Sequence, residues 1–190
     1  MRSRADATAA TGERILDAAE ELFWELPLDQ VSLDAVAARA EVSVQTVIRR
    51  FGGRDGLIDA AAERGRGRIV DQRATAPVGD VPGAVSVLLD HYERYGDQVI
   101  RLLAEEAHTP RLGELVEQGR VDHRDWCARV FAPALAGLKG AERTRRAAQL
   151  VAICDVYTWK LLRRDAKLSR AQTELALVEL LAPLTGQRTH

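Results

Sequence analysis

The sequence predicts an all-α protein, with a small helix-turn-helix unit at its N-terminal end and a larger helical body behind it. Three observations carry that expectation. Apolar residues recur at three-to-four spacing through most of the chain, and no segment alternates convincingly at period two. Residues 31–57, VSLDAVAARAEVSVQTVIRRFGGRDGL, read as two short helices, a tight turn and an arginine-flanked continuation. Over 190 residues, 46% are hydrophobic and 29% charged, the composition of a globular chain with a core that needs no staples.

In the first helix Ile15, Ala18, Ala19, Leu22, Phe23 and Leu26 form one apolar face opposite an acidic one, and Pro27 ends the pattern. Ser32 has the chemistry of an N-cap for the second helix, with Asp34 in the first turn where the dipole favours a carboxylate. Leu33, Val36, Ala37 and Ala40 make its buried stripe. Ser43 caps the third helix, Val44 to Phe51. Its inward residues Val47 and Phe51 are four apart, which leaves Gln45, Thr46, Arg49 and Arg50 outward. Gly52 and Gly53 stop it. Helices this short are unstable alone and must share a core with a third.

A fourth helix is expected from near Arg54 to about Arg73, with Leu57, Ile58, Ala61 and Ala62 toward the core. Gly65 and Gly67 form only part of a GxGxxG pattern, since Val70 replaces the third glycine and no strand precedes it; this argues against a dinucleotide site. Residues 74–83, ATAPVGDVPG, are the best loop. Five further helical segments follow: 85–95, 98–107, 112–138, 141–164 and 169–184, with Pro133 placed to kink or divide the third. Ser169 and Gln172 have the capping-box spacing.

Residues 147–162, AAQLVAICDVYTWKLL, are apolar around almost the whole circumference, and so is the final helix through Leu175, Leu177, Val178, Leu180, Leu181 and Leu184. Both read as having two buried faces. Pairing of these last two helices with their copies in a second subunit would form a four-helix interface and a homodimer; central helices of a monomer are the other reading.

The net charge of −1 gives no support to nucleic-acid binding, so the distribution matters. Residues 1–55 hold seven arginines against ten acids, whereas residues 42–73 hold seven arginines against four acids. Any phosphate-binding surface is therefore local. Cys127 and Cys154 are too few for a disulfide framework and read as core thiols in a reducing compartment. The basic N-terminal residues precede no apolar run, so neither a signal peptide nor a membrane anchor is expected, and the expected location is cytoplasmic.

A reading helix needs an apolar inner face to hold its outer face at fixed depth in the major groove, and Val47 with Phe51 supplies one. Ser43 and the first turn at Val44 suit phosphate oxygens, as does Ser32 at the neighbouring helix start, while Gln45 and Thr46 have the reach to touch base edges. Arg49, Arg50 and Arg54 suit phosphates.

On these residues the chain resembles the TetR family of transcriptional regulators from about Glu13 to Leu57. ILDAAEELFWE is similar to the family's first helix, VSLDAVAARAEVS to its second helix and turn, and VQTVIRRFGGRDGL to its recognition helix and the start of the fourth. Ile48 stands where the family usually has tyrosine, Arg50 where it has histidine, Arg54 where it has lysine, and Pro27 and Glu41 where it favours glycine. The resemblance implies a DNA-binding domain at residues 1–55 and a ligand-binding and dimerisation domain at 56–190. It also implies a homodimeric repressor that binds double-stranded DNA at a palindromic operator and is released by a small-molecule effector. A helical small-molecule-binding protein with a vestigial reader is the alternative.

On the helices that would surround an effector, His91, Tyr92, Tyr95, His108, Trp126, Asp155 and Trp159 are the candidates; as helical residues they are also ordinary core. His123 and Cys127, four apart, could hold a metal only with further ligands that the sequence does not supply, so no metal and no cofactor is expected. GxSxG, HExxH, P-loop and CxxC patterns are absent, and neither catalysis nor membrane association is expected.

Overall fold

The computed structural model describes residues 4–107 and 110–186. The chain divides into two compact units, Met1–Arg68 and Ile69–His190.

The first unit is built from α1 (Arg4–Glu25), α2 (Leu33–Arg39), α3 (Val44–Phe51) and the N-terminal part of α4 (Arg54–Ala74), with a single 3-10 turn at Leu28–Gln30. Helix α1 stops before Pro27. Ile15, Ala18, Ala19 and Leu22 from α1, Val36, Ala37 and Ala40 from α2 and its end, Val47 from α3, and Leu57 and Ala61 from α4 meet in one core. Phe51 and Leu26 pack against its edge. The two short helices are fixed locally as well. Ser32 Oγ accepts from the amide of Ala35, and Ser43 Oγ from the amide of Thr46, each cap being worth about 1 kcal/mol. Gly52 ends α3 in the left-handed region at φ 78°, where the absence of a Cβ matters. Between α2 and α3 the chain turns through Glu41 at φ 54°, an unfavourable place for a side chain.

The second unit contains the end of α4, α5 (Val81–Glu105), α6 (Pro110–Val130), α7 (Ala132–Leu135), α8 (Gly140–Ile153), α9 (Val156–Lys160) and α10 (Arg170–Thr185). Its core is formed by Leu88, Leu89 and Tyr92 of α5, Trp126 and Val130 of α6, Phe131, Leu150 of α8, Trp159 of α9, and Leu177 and Leu181 of α10. Asp80 caps α5, and Ser169 with Gln172 completes the capping box of α10 in both directions.

Two of the segment readings differ from the sequence expectation, and the third, 112–138, is divided near Pro133 as that expectation allowed. Segments 85–95 and 98–107 are one helix, α5, which runs straight through Gly96. That glycine serves packing: a Cβ there would lie 2.4 Å from the Trp159 ring. Segment 112–138 is divided, with Phe131 between α6 and α7 and Pro133 in the short helix. Segment 141–164 is also two helices. Asp155 breaks it by accepting the amide hydrogen of Tyr157, so α9 starts afresh and then loosens into a π turn at Leu161–Asp165.

Candidate functional site

The outer face of α3 is assembled from the inside out. Val47 is fully buried and anchors the helix, while Gln45, Ile48, Arg49 and Arg50 are exposed and Val44 and Thr46 half-buried. The Ser43 hydroxyl shares a hydrogen bond of 2.9 Å with that of Thr46 besides capping the helix. The Thr46 hydroxyl is thus tied to the first turn, and Gln45 is the polar side chain of that turn left to reach outward. Ser32 is exposed at the start of α2, its oxygen occupied by the Ala35 amide.

The cations sort into three groups. Arg49 and Arg50 enter no ion pair among the described residues, and Arg50 bends so that its guanidinium covers the backbone of Gly12 on α1; a Cβ at Gly12 would meet Arg50 Nε at 2.2 Å. Arg54 turns the other way. Its Nε donates to the Val31 carbonyl at 2.8 Å and its Nη2 to the Leu28 carbonyl, so the guanidinium ties the first turn of α4 to the chain ahead of α2. Arg64 and Arg68 are met by acids of α1: Arg64 by Glu13, Asp17 and Glu20, Arg68 by Glu20 and Asp17. Arg39 pairs with Glu21 and Glu25, and its hydrogen bond holds the Glu25 carboxyl below the usual range.

The arginine excess over residues 42–73 is therefore mostly spent inside the fold, and α3 carries the cations that remain. Sequence reasoning could not see this, because the partners of Arg54 and Arg64 lie 23 to 51 residues away.

In the second unit, most of the candidate effector residues come together as packed core. Tyr92 donates to the Cys154 carbonyl at 2.9 Å, which satisfies the carbonyl freed where α8 ends, and burial pushes its phenol up. Trp126 donates to the Arg73 carbonyl at 2.8 Å. Trp159 is fully buried between Gly96, Tyr92 and the Arg164 guanidinium, with Nε1 donating to Glu93 at 3.2 Å. His91 is buried with its ring beside those of Tyr92 and Tyr95, and Asp155 acts as the α9 cap. His108 lies outside the described residues.

A group absent from the candidates is Arg73, at the end of α4. It is buried, its guanidinium lies over the Trp126 ring at 4.5 Å, and its Nη2 meets His123 Nδ1 at 2.8 Å. Nothing local in the sequence marks it, since its partners lie some 50 residues away. The Cys127 thiol is pushed down, chiefly by a hydrogen bond with Cys154 and then by His123, against the effect of burial. No group of three or more metal-ligating side chains occurs among the described residues, and no helix among them is long and apolar enough to cross a membrane.

Residues 15–61 match the family described as bacterial regulatory proteins, tetR family. Among curated proteins no sequence match is found. Several solved structures share the fold over nearly the whole chain. A transcriptional regulator from Rhodococcus is 22% identical at a TM-score of 0.68, covering 92% of this chain and 96% of its own. A tetR-family transcriptional regulator from Streptomyces coelicolor is 20% identical at 0.67, covering 93% and 80%. NalD, the secondary repressor of the MexAB-OprM multidrug efflux pump in Pseudomonas aeruginosa, is 20% identical at 0.53, covering 93% and 96%. The sequence match places residues 15–61, which hold α3 and the helices around it, in the tetR family of bacterial regulatory proteins, and the likeness in fold covers more than nine-tenths of the chain.

Proposed function

We propose that the protein is a homodimeric, ligand-responsive transcriptional repressor that binds a palindromic operator through α3 and is released by a small-molecule effector. The observation that carries this reading is the outer face of α3. Gln45 and Arg49 stand exposed on a helix that is capped by Ser43 and anchored by Val47. A helix held in this way can enter a major groove, with its first turn on phosphates and its side chains on base edges.

Dimerisation through the last two helices is supported by apolar side chains left in water. Tyr157, Leu175 and Leu180 are exposed, and Leu161 by 60%, while Val178 and Leu184 are only half-buried. Large exposed apolar groups in one region mark an association surface. Two-fold symmetry of the protein then requires two-fold symmetry of the site. An effector that binds more tightly to the conformation with misplaced reading heads lowers DNA affinity by the difference.

Two measurements test this. Sedimentation of the purified protein should give twice 20.9 kDa, and Leu161→Arg should give the single-chain mass; a monomeric wild type contradicts the dimer. Fluorescence anisotropy on a mixed-sequence duplex should show binding that weakens as salt is raised. No binding at low salt would favour the alternative of a vestigial reader, to which Ile48 in the usual tyrosine position would contribute.

A further inference from the structure

The buried polar cluster at the end of α4 holds a cation that no carboxylate among the described residues pairs with. Arg73 is only 7% exposed. It enters no ion pair with a carboxylate among the described residues. The groups it does meet are an imidazole, at His123 Nδ1, and the face of Trp126. Its Nε has no hydrogen-bond partner. Beside it, His91 is 6% exposed with Nδ1 unpartnered, and Gln72 leaves Oε1 unpartnered while its amide nitrogen donates to the Val87 carbonyl. A buried cation without a counter-charge is among the costliest arrangements a core can hold.

The surroundings do not relieve it. The α4 carbonyl of Arg73 is already taken by Trp126 Nε1 and by Arg129 Nη2 at 3.1 Å, so a second guanidinium lies at the same helix end. His91 is held neutral, down to about 3, by burial first and then by the positive field of Arg73 and His123. Neutral His91 can still donate from Nδ1 in the appropriate tautomer. Arg73 and His91 thus each bury an unpartnered nitrogen, Arg73 with its guanidinium over the Trp126 face and His91 with its ring beside those of Tyr92 and Tyr95.

We propose that this cluster receives the carboxylate of a small organic acid, and that such acids are the effector class. The proposal rests on the reading of the second unit as an effector domain. The carboxylate would accept from Arg73 Nε and His91 Nδ1, and its apolar body would lie against the rings. These side chains are packed, so the acid enters by displacing them. Because α4 also carries Leu57 and Ala61 in the core under the reading helices, a shift of Arg73 acts on the element that continues into the DNA-binding unit.

The test uses the full chain without DNA. Thermal unfolding is followed with millimolar acetate, benzoate, phenylacetate and octanoate, each against its uncharged amide. At least one acid should raise Tm by several degrees, as ligand binding to the native state requires, and its amide should not. Arg73→Met should abolish the response and, having removed an unpaired buried charge, should match or exceed the wild-type Tm without acid.

The proposal is overturned if no acid exceeds its amide. It is also overturned if Arg73→Met and Cys127→Ala are equally destabilising, which would make the Cys127 thiolate the internal counter-charge. If Arg73→Met does not fold, His91→Phe keeps the test, with loss of the acid response expected and retention contradicting it. Binding of the amides alone would leave an effector domain standing and remove this inference, and operator binding can fail without affecting either result.

Discussion

Arg54 Nε donates to the carbonyl oxygen of Val31 across 2.8 Å, so the residue that opens α4 also fixes the chain leading into α2. Nη2 completes the clasp on Leu28. An arginine that the charge pattern assigns to phosphates is thus a brace within the reading unit. Arg54→Ala should lower stability by about 1–3 kcal/mol, since the Val31 carbonyl loses the guanidinium and the Leu28 carbonyl keeps only the Val31 amide. Urea unfolding measures this; an unchanged midpoint would return Arg54 to the DNA surface.

With Arg54, Arg64 and Arg68 engaged internally, the proposed reading leaves Arg49 and Arg50 of each subunit to carry most of the phosphate contact. About four neutralised phosphates per dimer give a slope of log K against log salt near −4. Arg49→Ala should make that slope shallower by about 2, one contact per subunit, and weaken all sequences alike. Gln45→Ala should instead cost about 1–3 kcal/mol on the preferred sequence and little elsewhere. A wild-type slope near −9 would mean about ten phosphates, more than twice the footprint that α3 supplies.

Glu41 sits at φ 54° in the turn between α2 and α3, where the family favours glycine. Glu41→Gly should raise stability by about 1 kcal/mol by removing the Cβ clash of a left-handed residue. A lower Tm in the variant would show that the carboxylate makes a compensating contact.

Gly96 on α5 lets the helix backbone approach the Trp159 ring, to which an added Cβ would come within 2.4 Å. Gly96→Ala gains helix propensity but overpacks a fully buried tryptophan, and the second effect should win by about 1–3 kcal/mol. Near-ultraviolet circular dichroism of Trp159 should change with the loss of stability. A stabilised variant would mean that the contact is loose.

Burial, and then the charges of Arg73 and His123, hold the His91 imidazole down to about 3, whereas the unfolded chain protonates near 6.5. Between those values the unfolded state binds the extra proton, so stability falls as pH falls below about 6.5, by up to about 1.4 kcal/mol per pH unit. His91→Gln should flatten this dependence in urea unfolding at pH 7, 6 and 5. An equal slope in the variant would place the titration elsewhere.

What the sequence made legible was local. Ser32 and Ser43 cap from their own side chains, Val47 and Phe51 repeat at helical spacing, and Gly52 ends α3, so the bounds of α3 follow from adjacent residues. Where packing decides, sequence reading stopped short. Gly96 reads as a turn because its use, making room for Trp159, lies 63 residues away. The break at Asp155 is hidden by an unbroken apolar run, and hydrogen bonds from the Tyr157 amide, the Tyr92 hydroxyl and the Thr158 hydroxyl support it. Arg54 and Arg73 look like surface cations until their partners on distant segments are seen.

The central claim is that two copies of α3 read a two-fold site. It is tested most directly by selecting binders from a random double-stranded DNA pool with the purified protein and sequencing them. The account predicts an enriched inverted repeat with half-sites one or more helical turns apart. No enrichment at low salt would contradict it.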